Sequence, residues 1–254
     1  MGKYTPPAMM SPSSVSTFVQ CPMKFKFNKL EKIYDPSTEA QHRGSYVHEV
    51  LEDLLALPNA ERTIKAAKSI ARDLWTKEWE KQFNELEKTT GDANAFKWQV
   101  LWCLEDYFSL ENPQEINPAG LETKVSGEIG GVPIRGIVDR WSLTEDDKLI
   151  VTDYKSGKAP QPRYTADKKF QITTYAVLLE DMTGKEASYG ELLYLTGGKR
   201  ATYTPTPALR AKTEKTLVDT WDELKVSCDT GEFECRTGPL CGWCSYKPMC
   251  PAFN

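Results

Sequence analysis

Two stretches carry most of the information in this chain: Gly136-Ile137-Val138-Asp139 and, with its first aspartate fourteen residues after Asp139, Asp153-Tyr154-Lys155. The second trio closes an apolar run, Leu149-Ile150-Val151-Thr152, that is typical of a β-strand. Asp153 and Lys155 are two residues apart, so both side chains project from one face of an extended chain while Tyr154 points to the other. Two carboxylates and an ammonium on neighbouring strands predict a site for Mg²⁺ or Mn²⁺, and the chemistry they imply is phosphodiester hydrolysis.

The overall charge of the chain does not indicate a nucleic-acid partner. The 254 residues contain 32 Lys and Arg against 36 Asp and Glu, a formal charge of −4. Phosphate binding needs only a local basic patch, and two clusters qualify. The first places Lys24, Lys26 and Lys29 among Phe25 and Phe27, and the second consists of Lys155, Lys158, Arg163, Lys168 and Lys169. The first cluster reads equally well as the solvated face of a helix.

No apolar run approaches the roughly 20 residues of a membrane span, and the N-terminus lacks the pattern of a secretory signal. We therefore expect a cytoplasmic protein with no membrane partner. The seven cysteines are an odd number. In a reducing compartment they are expected to be thiols or metal ligands rather than disulfides.

The hydrophobic pattern changes from helical to alternating spacing at Pro118. We expect a flexible lead over residues 1–12, then helices over 13–30, 44–57, 60–88 and 93–110. Strands follow over 121–129, 132–141 and 149–155, a helix over 162–182, strands over 187–195 and 201–205, and a helix over 208–228. Trp75, Trp79 and Phe83 recur at four-residue spacing and are expected to pack in the core. The pattern predicts an α/β fold with a helical region over 1–117, a core over 118–230 and a cysteine-rich tail over 231–254.

Three further residues extend the predicted site. His48 lies within the helix that starts at Gly44, where an imidazole nitrogen would complete a metal shell. Gln171 and Tyr175 lie four residues apart on the helix after Asp153-Tyr154-Lys155, so their side chains share one face. Each feature is weak alone, and their order along the chain is the specific signal.

With these motifs the sequence resembles the RecB-like branch of the PD-(D/E)XK nuclease superfamily, from Ser13 to Pro251. The resemblance implies a restriction-endonuclease-like mixed β-sheet flanked by helices. It also implies roles for the matching residues. His48, Asp139 and Asp153 would be metal ligands with the Tyr154 carbonyl, Lys155 would activate water and stabilise the phosphate, and Gln171 and Tyr175 would hold the DNA and the lysine. Glu122 is an additional acid to which the resemblance gives no role.

The cysteines Cys241-x2-Cys244-x5-Cys250-Pro251, together with Cys21-Pro22 far upstream, look like the iron–sulfur staple of AddB-type and CRISPR-associated exonucleases. The resemblance implies that Cys21, Cys241, Cys244 and Cys250 ligate a structural [4Fe–4S] cluster. Cys235 leaves an alternative open, because Cys235, Cys241, Cys244 and Cys250 would also suit a local zinc site.

The predicted function is that of a metal-dependent DNA exonuclease acting on single-stranded DNA or on DNA ends. Proteins of this architecture work with protein partners in repair, CRISPR adaptation and phage recombination. Two other readings remain: a DNA-binding or assembly subunit with a vestigial nuclease site, and a zinc-binding scaffold.

Overall fold

The computed structural model of the chain describes residues 2–86 and 90–254. Its helices are α1 (Pro12–Gln20), α2 (Pro22–Phe25), α3 (Glu39–Ala56), α4 (Ile64–Leu74), α5 (Glu80–Asn84), α6 (Ala93–Leu110), α7 (Ala166–Thr183) and α8 (Pro207–Thr230). Its strands are β1 (Pro118–Ile129), β2 (Val132–Leu143), β3 (Leu149–Lys158), β4 (Ala187–Thr196) and β5 (Lys199–Tyr203). Within the described residues, no helix combines the length and apolar character that a bilayer crossing requires.

The five strands form one mixed sheet in the order β1-β2-β3-β4-β5. β1 and β2 are joined by a tight turn at Gly130 and Gly131, whose φ angles of 59° and 75° favour glycine. β2 pairs antiparallel with β3, β3 parallel with β4, and β4 antiparallel with β5. The parallel pair requires a crossover, which α7 supplies. The predicted mixed sheet flanked by helices is confirmed.

The chain packs as two compact units. The terminal unit comprises Met1–Asp35, Val125–Gly136 and Thr206–Asn254, and the central unit comprises Pro36–Lys124 and Ile137–Pro205. The core of the central unit contains an aromatic cluster, in which the ring centroids of Phe83 and Phe96 lie 4.9 Å apart and those of Tyr46 and Trp79 lie 4.8 Å apart. Trp75, Trp79 and Phe83 are all buried. The prediction that this stripe is core packing is confirmed.

Two predicted helices are divided. The helix expected over 13–30 breaks at Cys21, which is extended with φ −163° and ψ 106°, because the residue before a proline disfavours the helical region. The chain then re-enters a helix at Pro22 and ends in a π-helical turn over Lys26–Leu30. The helix expected over 60–88 starts only at Ile64, widens into a π turn at Trp75–Trp79 and continues as α5. Its predicted end at 87–88 lies outside the described residues.

The expected flexible lead is wrong for the residues described there. Met10 bridges to Ile134 of β2 through two backbone bonds, Met10 N–H to Pro133 O at 2.9 Å and Arg135 N–H to Met10 O at 2.9 Å. Tyr4 packs edge-on against Phe233 at 5.6 Å. β1 starts at Pro118 rather than 121, and β5 covers 199–203 rather than 201–205.

The packing of α7 on the sheet depends on a glycine in β4. A Cβ on Gly190 would lie 2.3 Å from Ile172 Cγ1, so Gly190→Ala should overpack this contact and destabilise the protein by about 1–3 kcal/mol. Urea unfolding would measure the loss. Gly157→Ala in β3 is the matched control, because a Cβ there meets nothing within 4 Å. Equal stabilities of the two variants would contradict this account of the α7 packing.

Candidate metal centre and active site

Two carboxylates meet where β2 and β3 pair. The register places Arg140 opposite Thr152 and Trp141 opposite Val151, and one further step along it sets Asp139 opposite Asp153. Both aspartates are buried. The backbone N–H of Tyr154 donates to Asp139 Oδ2 at 2.7 Å and fixes the position of that carboxylate.

His48 reaches the same place from α3. Its Nε2 lies 2.9 Å from the Tyr154 carbonyl and its Nδ1 lies 3.6 Å from Asp139 Oδ2. A carbonyl only accepts hydrogen bonds, so we assign the ring proton to Nε2, which leaves the Nδ1 lone pair towards the carboxylate. Gly44 permits the approach of α3, because a Cβ there would lie 3.2 Å from Ser156 Oγ at the end of β3.

Glu122 joins these residues. Ligand atoms of His48, Glu122 and Asp139 all lie within 4.8 Å of one another, the one such trio of His, Cys, Asp or Glu among the described residues. Glu122 has a φ of 40°, in the left-handed region that a side chain rarely adopts. Strained backbone of this kind persists where the surrounding structure enforces it, as it often does at functional sites. The sequence carried no sign of this backbone geometry, which explains why Glu122 received no role from it.

The electrostatics of this acidic cluster favour a cation. Burial raises the pKa of Asp139 well above its usual range, and the Asp153 charge raises it further, against the opposing effects of the Tyr154 N–H and of Lys155. Burial also raises the pKa of Glu122. His48 opposes this shift, and the charges of Glu52 and Asp153 add to it. Carboxylates that resist ionisation together are stabilised by a divalent cation among them. One imidazole nitrogen and several hard oxygens fit Mg²⁺ or Mn²⁺.

Asp153 faces Lys155. The Lys155 Nζ lies 2.5 Å from Asp153 Oδ2, an oxygen that is buried and accepts no hydrogen bond of good geometry from the described part of the chain. The ammonium also donates to Gln171 Oε1 at 3.0 Å, and Gln171 Nε2 donates to Tyr175 Oη at 3.3 Å. Burial raises the pKa of Tyr175 to about 12. The structure thus links Asp153, Lys155, Gln171 and Tyr175 in one row beside the trio.

A buried ionic cluster, which the sequence reasoning missed, lies on the opposite face of the sheet. The guanidinium of Arg140 forms a two-pronged ion pair with Glu111, with Nη2 3.0 Å from Oε2. The same nitrogen donates to Thr152 Oγ1 at 3.0 Å and to Glu191 Oε1 at 3.2 Å. The guanidinium carbon lies 5.6 Å from the ring centroid of Tyr154. A signal existed in the sequence, since strand alternation places Arg140 inside the fold, where it needs acidic partners.

The cysteines of the tail and Cys21 lie in the terminal unit. A cavity of about 380 Å³ is lined by Cys21, Cys235, Cys241, Cys244 and Cys250 among others. Cys250 Sγ lies 3.8 Å from Cys235 Sγ, and the Gly238 N–H donates to Cys241 Sγ at 3.4 Å. Burial raises the pKa of Cys235, and the neighbouring Cys250 raises it further. The two remaining cysteines, Cys103 and Cys228, are buried.

The two basic clusters differ in their surroundings. In the first, Phe25 and Phe27 are buried, while Lys26 pairs with Glu31 at 3.3 Å and lies 5.2 Å from the Tyr4 ring centroid. Phe25, Phe27 and Lys26 therefore serve the packing of the terminal unit. The second borders the row that starts at Asp153, because it includes Lys155 and the start of α7.

The chain is similar to known proteins in sequence and in fold. The family model of the PD-(D/E)XK nuclease superfamily matches residues 9–251. The Gene 69 proteins of Mycobacterium phages L5 and D29 are 23% and 22% identical to the chain, over 97% of its length and 97% of theirs. The solved structure of a candidate exonuclease from Eubacterium rectale shares the fold with a TM-score of 0.60 at 14% identity, covering 95% of this chain and 87% of that one.

Removing one charge from the carboxylate pair should stabilise the metal-free protein. We expect Asp139→Asn to raise the melting temperature in EDTA by a few degrees, about 1–2 kcal/mol, because the amide still accepts the Tyr154 N–H bond while the repulsion disappears. Mn²⁺ should raise the melting temperature of the unmodified protein and much less that of the variant.

Asp219→Asn on α8 is the control for this substitution, since Asp219 is exposed and pairs with Lys215 at 2.8 Å. Differential scanning calorimetry with and without Mn²⁺ would measure all three proteins. An Asp139→Asn protein with an unchanged Mn²⁺ response would remove Asp139 from the metal centre.

Proposed function

The chain belongs to the PD-(D/E)XK nuclease superfamily, and on this premise we propose that it is a metal-dependent DNA exonuclease that acts on single-stranded DNA or DNA ends. One observation carries the proposal: the trio His48, Glu122 and Asp139 stands beside a lysine that is already held in place by Asp153 and Gln171. A protein that only binds DNA has no physical need for this combination, which argues against a vestigial site.

In the proposed site His48, Glu122, Asp139 and Asp153 would hold Mg²⁺ or Mn²⁺, and the Tyr154 carbonyl would be a further oxygen ligand. Asp153 can serve both the metal and Lys155, because its two oxygens are separate acceptors. When bound, the cation supplies charge stabilisation at the scissile phosphate and lowers the pKa of water there.

The chain's own residues orient the reaction around that cation. Lys155 donates to the attacking water or to a phosphate oxygen and stabilises the negative charge that develops on it. Gln171 fixes the ammonium through its carbonyl oxygen at 3.0 Å, which limits the positions that the lysine samples. Tyr175 holds the amide of Gln171 at 3.3 Å, so this row of contacts positions Lys155 before DNA arrives.

We propose that Cys21, Cys241, Cys244 and Cys250 ligate a structural [4Fe–4S] cluster, as in RecB-like nucleases with this cysteine pattern. A tetrahedral zinc site with Zn–S bonds of about 2.3 Å requires sulfur atoms about 3.8 Å apart. Cys235 and Cys250 show this spacing, at 3.8 Å, but no three thiols among the described residues have their sulfur atoms within 4.8 Å of one another. A cluster spreads its thiolates further, because each binds a different iron.

The biological setting we propose is the processing of phage DNA ends, with repair and CRISPR adaptation as the other settings in which the architecture occurs. The relatives from Mycobacterium phages L5 and D29, which match along nearly their full length, support the choice. We also propose that the nuclease core is contained in residues 118–230, with His48 and Cys21 contributed by 1–117 and the remaining cluster ligands by 231–254.

Lys155→Ala tests the chemistry. We expect Mn²⁺-dependent degradation of end-labelled single-stranded DNA to slow by about 100-fold or more, while the Mn²⁺-induced rise in melting temperature persists, since the metal ligands remain. Lys148→Ala, which removes an exposed lysine just before β3, should leave the rate unchanged. Covalently closed single-stranded circles should resist digestion, because an exonuclease needs an end. Unimpaired cleavage by Lys155→Ala would refute the assignment.

Cys21→Ser and Cys235→Ser test the cluster against local zinc. If a [4Fe–4S] cluster is present, Cys21→Ser should lose iron, brown colour and thermal stability together, because a harder oxygen replaces a thiolate, and Cys235→Ser should lose little. A zinc site reverses the pattern. Iron and zinc analysis of both proteins, purified without oxygen, distinguishes them. Full iron in the Cys21→Ser protein would contradict the proposed ligand set.

A further inference from the structure

Cations and an exposed aromatic ring lie together at the start of α7, the helix whose Gln171 binds Lys155. The residues at and just before the start of α7 that make up this surface, here termed the α7 strip, are Arg163, Tyr164, Lys168 and Lys169. Within residues 158–169 Asp167 is the acidic residue, and it pairs with Lys168 at 2.6 Å. The strip therefore keeps a net positive charge next to the proposed metal centre.

A cationic side chain lies over each of two tyrosine rings near the start of α7. The guanidinium of Arg163 lies 4.8 Å from the ring centroid of Tyr164, and the ammonium of Lys169 lies 5.4 Å from that of Tyr203. Tyr164 is 61% exposed, which is a large fraction for an aromatic side chain. The Tyr164 hydroxyl takes part in no buried hydrogen-bond network of the described residues, and the exposed part of the residue is its ring.

The strip is continuous with the row that holds Lys155. Gln171, which binds Lys155, lies one helical turn after Lys168 on α7 and therefore shares its face. Across the sheet Lys155 is in register with Tyr194, and Tyr194 with Lys199, which extends the row of cations along the strand ends.

Tyr194 lies between Lys155 and Lys199 in the register of the sheet. Its hydroxyl is buried and has no hydrogen-bond partner among the described residues. Its pKa is raised by burial, and the charges of Tyr203, Asp153 and Asp167 add to the effect. Because Tyr194 is in register with Lys155 on the neighbouring strand, this hydroxyl lies on the same face of the sheet as the proposed site.

A surface of this composition suits one class of nucleic acid. Phosphates bind to lysine and arginine whatever the strand form, but a base can stack on an exposed ring only when its own face is free. In a duplex the base faces are covered by their neighbours. Arginine stacked on the ring strengthens such a platform by bringing a cation to the same contact.

We propose that the α7 strip binds single-stranded DNA, with a base stacked on Tyr164 and the adjoining phosphates on Arg163, Lys168 and Lys169, so that the strand continues to Lys155. This inference rests on the proposed function for the identity of the ligand. It makes Tyr164 a determinant of strand preference, separate from the residues that carry out cleavage.

The test measures binding without cleavage. Fluorescence anisotropy of labelled oligothymidine and of a labelled duplex, with the full chain in EDTA, gives both affinities. Tyr164→Ala should weaken the single-strand affinity by about 10-fold, the usual effect of losing one stacked base, and leave duplex affinity nearly unchanged. Tyr164→Phe should restore the single-strand affinity, because stacking needs the ring and not the hydroxyl.

Two further variants complete the design. Trp98→Ala is the matched control, since Trp98 on α6 is 58% exposed and lies outside the strip, and it should bind normally. Arg163→Ala should weaken both DNA forms and reduce the salt dependence by about one phosphate contact. Unchanged single-strand binding by Tyr164→Ala, an equal loss for duplex, or an equal loss in Trp98→Ala would each overturn the proposal.

Failure of the strip and failure of the nuclease assignment have different signatures. If Tyr164→Ala binds and degrades single strands like the unmodified protein, the strip is wrong and the nuclease stands. If the unmodified protein binds single strands in EDTA, depends on Tyr164 for it, and shows no cleavage with Mn²⁺, the strip stands and the nuclease assignment fails.

Discussion

The central unit is organised around two acidic groups that are buried side by side. Asp139 and Asp153 face each other across the β2–β3 pair, and both are nearly inaccessible to water. Buried like charges destabilise a fold unless they are neutralised or bound by a cation. The Tyr154 N–H and the Lys155 ammonium offset part of this cost, at 2.7 Å and 2.5 Å. His48 and Glu122 then complete a pocket whose residual negative charge suits a divalent ion.

The strand register that brings the acids together is held from the other face of the sheet. Arg140 follows Asp139, and Thr152 precedes Asp153, so alternation sends this second pair to the opposite side. There Arg140 binds Glu111, Thr152 and Glu191, and Arg140, Thr152 and Glu191 are all buried. A slip of one residue would exchange the two faces and leave charges unpaired on both. The ionic cluster therefore specifies the register on which the metal centre depends.

Much of this arrangement was accessible from the sequence. The strands around Asp139 and Asp153 follow from spacing, because a period of 2 decides which side chains share a face. The placement of His48 and Gln171 beside Lys155 was instead implied by the resemblance to RecB-like nucleases. Glu122 was named as an additional acid, but its role could not be assigned, since its position depends on a left-handed φ of 40° that no local pattern encodes. The sequence also did not predict that residues before α1 are ordered, because Met10 is held by hydrogen bonds to β2. Nor did it predict the break at Cys21, since periodicity alone would have continued the helix.

The contacts of the metal centre differ greatly in chain separation. The Tyr154–Asp139 bond spans 15 residues, whereas the His48–Tyr154 bond spans 106. A contact across 15 residues has a small loop-closure cost, and a contact across a hundred residues has a larger one. We expect the acids to meet early during folding and the imidazole to arrive late. An incompletely folded chain would then lack the complete candidate metal centre. Nuclease activity would therefore require the fully folded central unit.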